Sequence, residues 1–153
     1  MTWRIFEGEL DLEDVRALLT QHFTEMRAGS PPEACHVLPI GGLKDPAIRF
    51  FSLREDGALL GCGALKRLEP GHGEVKSMRT SDSALGRGVG KALLDHLVAT
   101  ARRDGLARLS LETGSTGQFA AALRLYEKEG FEACGPFGDY ADTPFTRFFT
   151  REI

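Results

Sequence analysis

Three glycines fall within five residues of this 153-residue chain, at Gly86, Gly88 and Gly90, and Lys91 follows them. Because glycine has no side chain, successive backbone N–H groups in such a stretch can approach an anion closely. Apolar residues at helical spacing begin at Val89, so the stretch would lie at the positive end of a helix dipole. The pattern predicts a turn that binds phosphate.

The glycine spacing fits two common nucleotide sites poorly. A nucleoside-triphosphate loop has the form G-x-x-x-x-G-K-[ST], but Gly86 and Gly90 are one residue too close for it. Ala92 also stands where that loop needs a magnesium-binding hydroxyl. A dinucleotide loop has the form G-x-G-x-x-G, whose last interval is longer than the interval from Gly88 to Gly90. Another phosphate-bearing ligand is therefore favoured.

Hydrophobic spacing predicts the elements that would hold this turn. Alternation of period two predicts strands at 3–7, 48–53, 58–66, 74–78, 108–113 and 146–150, with a further strand at Phe131. Helical spacing predicts helices after Asp11, from Gly90, and after a cap at Ser115 or Thr116. Asp56-Gly57 and Glu69-Pro70-Gly71 predict turns that join three strands into an antiparallel meander. The glycine-rich turn then joins a strand to a long helix.

A second motif makes the ligand more specific. Residues 122–131, ALRLYEKEGF, have the form A-x-x-h-Y-x-x-x-G-F, where h is apolar. Together with LGRGVG at 85–90, this segment resembles the paired signatures of the GNAT superfamily of N-acetyltransferases. RGVGKA at 87–92 matches the first signature, [QR]-x-x-G-x-[GA], more literally, but the register from Leu85 begins the helix at Gly90 and is preferred. SPPE at 30–33, LETG at 111–114 and CGPFGDY at 134–140 resemble a subgroup of small bacterial acetyltransferases.

The resemblance implies one mixed α/β (α+β) GNAT domain over residues 1–153. Its sheet would be mostly antiparallel, splayed beside the glycine-rich turn, with about six to seven strands and about four flanking helices. The implied activity is transfer of the acetyl group of acetyl-CoA to the primary amine of a small molecule, by direct attack in a ternary complex that releases CoA. The alternatives are acetylation of a protein or peptide, and a non-catalytic module that binds acyl-CoA.

The resemblance also assigns a cofactor site. Backbone N–H groups of the turn would hold the pyrophosphate, and backbone near Met78 and Thr80 would hold the pantetheine arm as an added strand does. Arg87 and Lys91 either add positive charge or are solvated cations at the helix start. The predicted cofactor-binding residues are Met78, Thr80, Leu85, Gly86, Arg87, Gly88, Val89, Gly90, Lys91 and Phe119.

Tyr126 and Glu74 are the predicted catalytic residues. Tyr126 resembles the tyrosine that many GNAT enzymes place near the CoA sulfur, where a phenol at pKa ~10 could protonate a thiolate at pKa ~8.5 at a cost of ~2 kcal/mol. A tyrosine of the core is the alternative. Glu74 stands where some GNAT enzymes carry a glutamate base. Direct proton transfer from an ammonium to an ordinary carboxylate would cost about 8 kcal/mol, so Glu74 would need a more basic environment, a bridging water or proton uptake after attack.

Two other interpretations remain open at the base position. Glu74 could be a surface carboxylate paired with Lys76, and His72 could be the base because imidazole titrates near neutral pH. His72 lies in a predicted turn, where we expect exposure. His22 lies beside the apolar stripe of the first helix and is predicted to be a packed neighbour of the core.

The acceptor side is predicted from a long irregular segment. Residues 27–46 interrupt the helical period, first with Gly29, Pro31 and Pro32, and loops of this length are often functional. GNAT proteins place part of the acceptor wall after the first helix, although a surface excursion is the alternative. An arginine there could bind a carboxylate of the acceptor. The predicted substrate-binding residues are Arg27, Ser30, His36, Arg79 and Asp139.

Composition limits the remaining classes of function. The chain is 42% hydrophobic and 27% charged, with a net charge of -3 and a pI near 5.8. An acidic balance disfavours nucleic acid as a partner. The three cysteines form no C-x-x-C pair, so reduced thiols and no metal site are expected. No apolar run approaches ~20 residues, so we expect a cytoplasmic protein without membrane contact. A homodimer is compatible with the sequence.

Overall fold

The computed structural model describes residues 2–31, 35–115 and 117–153. Within them lie seven strands, three α-helices and three short 3-10 helices. The strands are β1 (Trp3–Glu7), β2 (Ile48–Glu55), β3 (Ala58–Glu69), β4 (His72–Thr80), β5 (Arg108–Gly114), β6 (Glu132–Cys134) and β7 (Thr146–Glu152). The α-helices are α1 (Glu13–Ala28), α2 (Val89–Arg103) and α3 (Ala120–Lys128), and the 3-10 helices are Ile40–Lys44, Asp82–Ala84 and Gly117–Phe119. Among these described helices, none is long and apolar enough to span a bilayer.

All seven strands form one sheet in the order β1-β2-β3-β4-β5-β7-β6. Every neighbouring pair is antiparallel except β4 and β5, which are parallel. Asp56 and Gly57 join β2 to β3 with φ angles of 49° and 89°, as expected for a two-residue hairpin turn. The predicted mixed fold and mostly antiparallel sheet of six to seven strands are therefore confirmed, whereas the described residues form three α-helices where about four helices were predicted.

The helices cover both faces of the sheet. Val15 and Leu19 of α1 pack on one face with Cys62 and Ala64 of β3. On the other face, α2 and α3 pack against the side chains of β3, β4, β5 and β7. Gly61 of β3 allows α2 to lie close, since a Cβ there would be only 2.8 Å from a methyl carbon of Val89.

The start of α3 differs from its prediction. The helix begins at Ala120, after the 3-10 turn, and has no side-chain cap. Ser115, one of the two predicted caps, donates its hydroxyl to the carbonyl of Pro144 at 3.1 Å instead. Thr116, the other, lies outside the described residues. The C-terminal stop is as expected, because Gly130 follows the helix with φ at +90°.

β4 and β5 separate next to the glycine-rich turn. Their parallel pairing covers three residue pairs, from His72 with Arg108 to Glu74 with Ser110, and stops there. A bulge in β4 places two residues opposite one of β3, and Ser77 within it has φ at +54°. Beyond Glu74, β4 continues along β3 while β5 continues along β7. The predicted splay of the sheet is present at this point.

Candidate active site

A cavity of about 860 Å³ occupies the gap between β4 and β5. We call one part the glycine end, formed by residues 85–91 together with Met78, Thr80 and the start of α3. We call the other part the carboxylate end, formed by residues 35–38 with Glu74, Lys76, Arg79 and Glu112. Because the sheet is open here, side chains from both of its faces line one space. The other lining residues include His22, Glu25, Met26, Ser30, Gly114, Phe119, Leu125 and Tyr126.

At the glycine end, the backbone turns with two left-handed residues. Gly86 and Gly88 have φ at +77° and +87°, a region that favours glycine, and Gly88 is the N-terminal cap of α2. A Cβ at either position would meet nothing within 4 Å, so the space beside the turn is open. Positive φ angles at the start of a 15-residue helix present backbone N–H groups and the helix dipole to an anion. The conformation of this turn therefore fits a bound phosphate group.

Tyr126 of α3 lies between this end of the cavity and the core. Its side chain is buried, and its ring contacts Phe131 edge to face with the ring centres 5.8 Å apart. Burial raises the pKa of the Tyr126 phenol to about 12. Against a free thiol at pKa ~8.5, complete proton transfer to the thiolate would then be uphill by about 5 kcal/mol. Tyr126 can donate a hydrogen bond more easily than it can release its proton.

Glu74 lies at the vertex of the gap, inside a buried network. Its Oε2 atom accepts a hydrogen bond of 2.5 Å from the Tyr140 hydroxyl and one of 3.2 Å from the Lys76 ammonium. Lys76 also donates to the Tyr140 oxygen at 2.8 Å. The pKa of Tyr140 is raised by burial and by the charge of Glu74, so the phenol is a donor. The predicted pair of Glu74 and Lys76 is present, but it is buried rather than on the surface.

A second carboxylate, Glu112 of β5, faces the same gap. Its Oε2 atom lies 3.4 Å from Nδ1 of His36, which belongs to the segment after α1. Burial raises the pKa of Glu112, and the contact with His36 opposes that shift. The His36 ring also meets the Tyr140 ring edge to face, with the centres 4.8 Å apart. The structure thus brings His36, Tyr140 and the two glutamates together from distant parts of the chain.

Residues 12–131 match the Acetyltransferase (GNAT) family, which covers more than half of the chain. The chain belongs to the GNAT family. It is an acyltransferase enzyme, as the two signatures predicted. The N-acetyltransferase YsnE of Bacillus subtilis (strain 168) is 46% identical over 145 residues, covering 95% of this chain and 96% of its own. The IAA acetyltransferase of Azospirillum brasilense is 40% identical over 124 residues, covering 80% of each chain.

Solved GNAT structures share the fold. An acyl-CoA N-acyltransferase from Klebsiella pneumoniae subsp. pneumoniae MGH 78578 superposes with a TM-score of 0.80 at 25% identity, covering 99% of this chain and 97% of its own. A GNAT acetyltransferase from Elizabethkingia anophelis with acetyl-CoA bound superposes with a TM-score of 0.74, covering 99% of this chain and 98% of its own. The second is 15% identical, so its likeness concerns the fold alone.

Most of the cofactor-binding residues predicted from the GNAT signatures line the cavity. Eight of them do so: Met78, Thr80, Leu85, Gly86, Gly88, Gly90, Lys91 and Phe119. Val89 does not, because its side chain is 1% exposed and packs into the core. Arg87 points toward β2, where it pairs with Glu55 at 2.7 Å and lies over the Trp3 ring. The Val89 side chain is therefore unavailable to a ligand at the turn, and the Arg87 side chain is held against β1 and β2.

The predicted acceptor residues divide into two groups. Ser30, His36 and Arg79 line the cavity, and the Arg79 guanidinium is paired with Glu25. Arg27 and Asp139 are exposed and lie outside the lining. Arg27 instead covers the Phe23 ring, with its Cζ 5.4 Å from the ring centre.

His72, the alternative base, and His22, the predicted neighbour of the core, lie in different settings. His72 was expected to be exposed, but its side chain is 17% exposed and its Nε2 lies 2.7 Å from the Ser110 hydroxyl. It is not part of the cavity lining. His22 is buried as predicted and also lines the cavity. Burial, with a smaller effect of the Arg79 charge, lowers its pKa to about 4, so His22 is neutral at physiological pH.

Sequence reasoning did not assign a site role to Glu112, Lys76 or Tyr140. The available signal was a single charged residue within the apolar strand Leu109-Ser110-Leu111-Glu112, and the resemblance of 111–114 and 134–140 to small bacterial acetyltransferases. Neither pattern shows which residues meet. Their contact depends on where β4 and β5 separate and on how the segment before β7 folds back.

Proposed function

We propose that this protein transfers the acetyl group of acetyl-CoA to the primary amine of a small molecule, by direct attack within a ternary complex. The observation that supports this most is one cavity that continues from the glycine-rich turn, whose geometry fits a phosphate, to the buried carboxylate of Glu74 and the largely buried carboxylate of Glu112. A donor and an acceptor could therefore occupy the same space at once. Acetyl-CoA would supply an activated thioester whose sulfur is a good leaving group.

The chain offers matching groups for each part of the donor. The backbone of residues 85–91 would hold the pyrophosphate. The edge of β4 beyond Glu74 is not paired with β5, so its backbone groups near Met78 and Thr80 can pair with an extended arm. The GNAT acetyltransferase from Elizabethkingia anophelis has a similar fold, and its structure contains bound acetyl-CoA. The fit of the turn and the open strand edge support the same cofactor here.

The groups at the gap would take part in two proton transfers. The amine nitrogen bonds to the acetyl carbon while the carbon–sulfur bond breaks, the nitrogen loses one proton, and the thiolate gains one. Glu74 is the proposed base, acting through water or after attack, because its carboxylate lines the cavity that the donor and the acceptor would share. Hydrogen bonds from Lys76 and Tyr140 to its Oε2 atom hold the carboxylate in place. Tyr126 is the proposed acid, and its raised pKa favours a hydrogen bond to the developing thiolate before the proton moves.

A small acceptor is favoured over a peptide by the shape of the carboxylate end. Cys35, His36, Val37 and Leu38 form part of its wall, so the segment after α1 limits access from that side. A volume of about 860 Å³ lies in the range of small-ligand pockets. The pocket must hold the reactive part of the donor as well as the acceptor.

Turnover of acetyl-CoA over a panel of alkylamines, arylamines, amino acids and peptides tests the proposal, with free CoA thiol as the readout. Efficient turnover of small amines is the expected result. A preference for peptides with free N-termini or lysines would favour the protein acetyltransferase instead. Tight CoA binding in calorimetry without turnover of any member would contradict acetyl transfer to amines.

A further inference from the structure

The two carboxylates of the carboxylate end differ in how their charge is balanced. Glu74 has the ammonium of Lys76 at 3.2 Å and a phenol donor on the same oxygen. Glu112 has a contact with His36 at 3.4 Å, and among the described residues it forms no ion pair with a lysine or arginine. The side chain of Glu112 is 14% exposed, so water compensates its charge only partly.

The ionisable groups around Glu112 come from three segments. His36 faces it from the loop after α1, Glu74 and Lys76 from β4, and Tyr140 from the segment before β7. Lys76 and Glu74 cancel each other's charge, and Tyr140 is a neutral phenol. Apart from His36, these side chains comprise two carboxylates and one ammonium, so their net charge is about -1. The excess negative charge lies on Glu112.

Glu112 is also held in a fixed position. Its strand is paired with β7 through Phe148, and its carboxylate contacts a histidine ring that packs on Tyr140. Tyr140 in turn donates to Glu74. A carboxylate held in this way, beside open cavity space, can form charge-assisted hydrogen bonds to a cation with little loss of side-chain entropy.

We propose that Glu112, positioned by His36, binds the acceptor amine as its ammonium ion and so selects alkylamines over uncharged acceptors. This inference rests on the proposed function. A primary alkylamine is protonated at neutral pH, so the form that first enters the cavity is a cation. The ammonium then passes one proton to Glu74 through a bridging water, and the neutral nitrogen forms the bond to the acetyl carbon as the carbon–sulfur bond breaks. The nitrogen loses its second proton to water, and Tyr126 protonates the departing thiolate.

The raised pKa of Glu112 agrees with this role. Burial disfavours its ionised form while the cavity lacks a cation, and a bound ammonium would reverse that effect. The KM for an alkylamine should therefore rise as pH falls through the titration of Glu112, at a pH above the ordinary carboxyl range. An acceptor that is uncharged at neutral pH should show no such dependence.

The test compares Glu112→Gln with wild type on a primary alkylamine and on an arylamine, which is uncharged at neutral pH. For the alkylamine, we expect KM to rise ~10- to 100-fold, the range expected when a buried charge-assisted contact is removed. For the arylamine, KM should change little, and acetyl-CoA affinity in calorimetry should be unchanged. Glu112→Asp should recover part of the loss. Glu132→Gln is the matched control, since Glu132 is exposed on β6 of the same sheet.

The outcomes separate this inference from the proposed function. An active wild type whose Glu112→Gln variant keeps its alkylamine KM, or loses alkylamine and arylamine equally, would refute the role of Glu112 alone. A wild type that binds CoA but acetylates no amine would refute the proposed function, and the inference with it. If Glu112→Gln is unfolded by circular dichroism, the Glu112→Asp variant and the pH dependence of the wild-type KM decide the matter.

Discussion

The glycine end and the carboxylate end of the cavity differ in the chemical groups that line them. The glycine end consists mainly of consecutive residues, 85–91, and offers backbone N–H groups in one turn that contains two left-handed glycines. The carboxylate end offers side chains that come from β4, β5 and the segment after α1. One end therefore depends on local backbone conformation and the other on the tertiary arrangement of strands.

This difference indicates how each end should respond to substitution. At the glycine end, a residue that disfavours positive φ at Gly86 or Gly88 should change the direction of the backbone N–H groups. Because no side chain can replace those groups, binding of acetyl-CoA should be lost. Loss of a charged side chain there should matter little, since Lys91 and Arg87 already have carboxylate partners. At the carboxylate end, single side chains should govern rate and pH dependence. Four substitutions test the contrast, from the largest expected effect to the smallest.

Gly88→Val should lower acetyl-CoA affinity by more than about 100-fold, because a β-branched residue is strained at positive φ and its side chain would occupy the open space beside the turn. Calorimetry with acetyl-CoA is the measurement. Gly57→Val is the matched control, since Gly57 has a similar φ of +89° and lies in the hairpin away from the cavity. Undiminished affinity in a folded Gly88→Val variant would remove this turn from the cofactor site.

Tyr126→Phe should lower kcat by ~10- to 100-fold, at or just below the lower limit of the range for general acid–base groups, while acetyl-CoA affinity stays within ~3-fold of wild type. The ring is retained, so its packing on Phe131 should persist. Because the pKa of Tyr126 is raised to about 12, its titration should not appear in a pH–rate profile below pH 10. An unchanged kcat with a good acceptor would exclude Tyr126 as the acid.

Glu74→Gln should lower kcat by roughly 10-fold and flatten the acidic limb of the pH–rate profile, because an amide cannot take a proton at these pH values. The substitution keeps the size of the side chain but leaves the Lys76 ammonium without its carboxylate partner. Thermal unfolding of the variant therefore has to accompany the kinetics. An acidic limb identical to that of wild type would assign the proton to water or to another group.

Lys91→Ala should weaken acetyl-CoA binding by less than about 5-fold, which corresponds to the ~1 kcal/mol typical of exposed ion pairs. Lys91 lines the cavity, but its ammonium lies 2.7 Å from Asp95 and 3.2 Å from Glu129. Affinity measured at two salt concentrations gives the contribution of its charge. A loss as large as that expected for Gly88→Val would mean that the side chain, rather than the backbone, holds the donor.

The sheet illustrates how much of the fold could be predicted. Alternating residues and the Asp56-Gly57 turn predicted β2, β3 and their hairpin, because a two-residue turn of this type fixes the register of its own strands. The bulge at Ser77 was not predicted. Because it adds one residue to β4, Met78 and Arg79 lie on the opposite faces of the sheet from those that simple alternation would give them. A serine at positive φ has no local signal, since tertiary contacts hold it there.

The candidate site shows the same division. Gly86, Gly88 and Tyr126 could be chosen from the sequence because each belongs to a short motif whose spacing has a physical reason. Arg27 and Asp139 were chosen by residue type and because they lie in irregular parts of the sequence. Neither lines the cavity. Residue type indicates what a side chain can do but not what it faces.

The sequence by itself determined the glycine end, because seven consecutive residues contain both the chain reversal and the helix start that an anion needs. It also determined the family, through two motifs at a set separation. Only the tertiary structure decided the carboxylate end. The parallel pairing of β4 and β5 stops after Glu74, so Glu112 faces the same gap although 38 residues separate the two. Contacts between such distant residues depend on loop closure and strand register, and no local pattern records either of them.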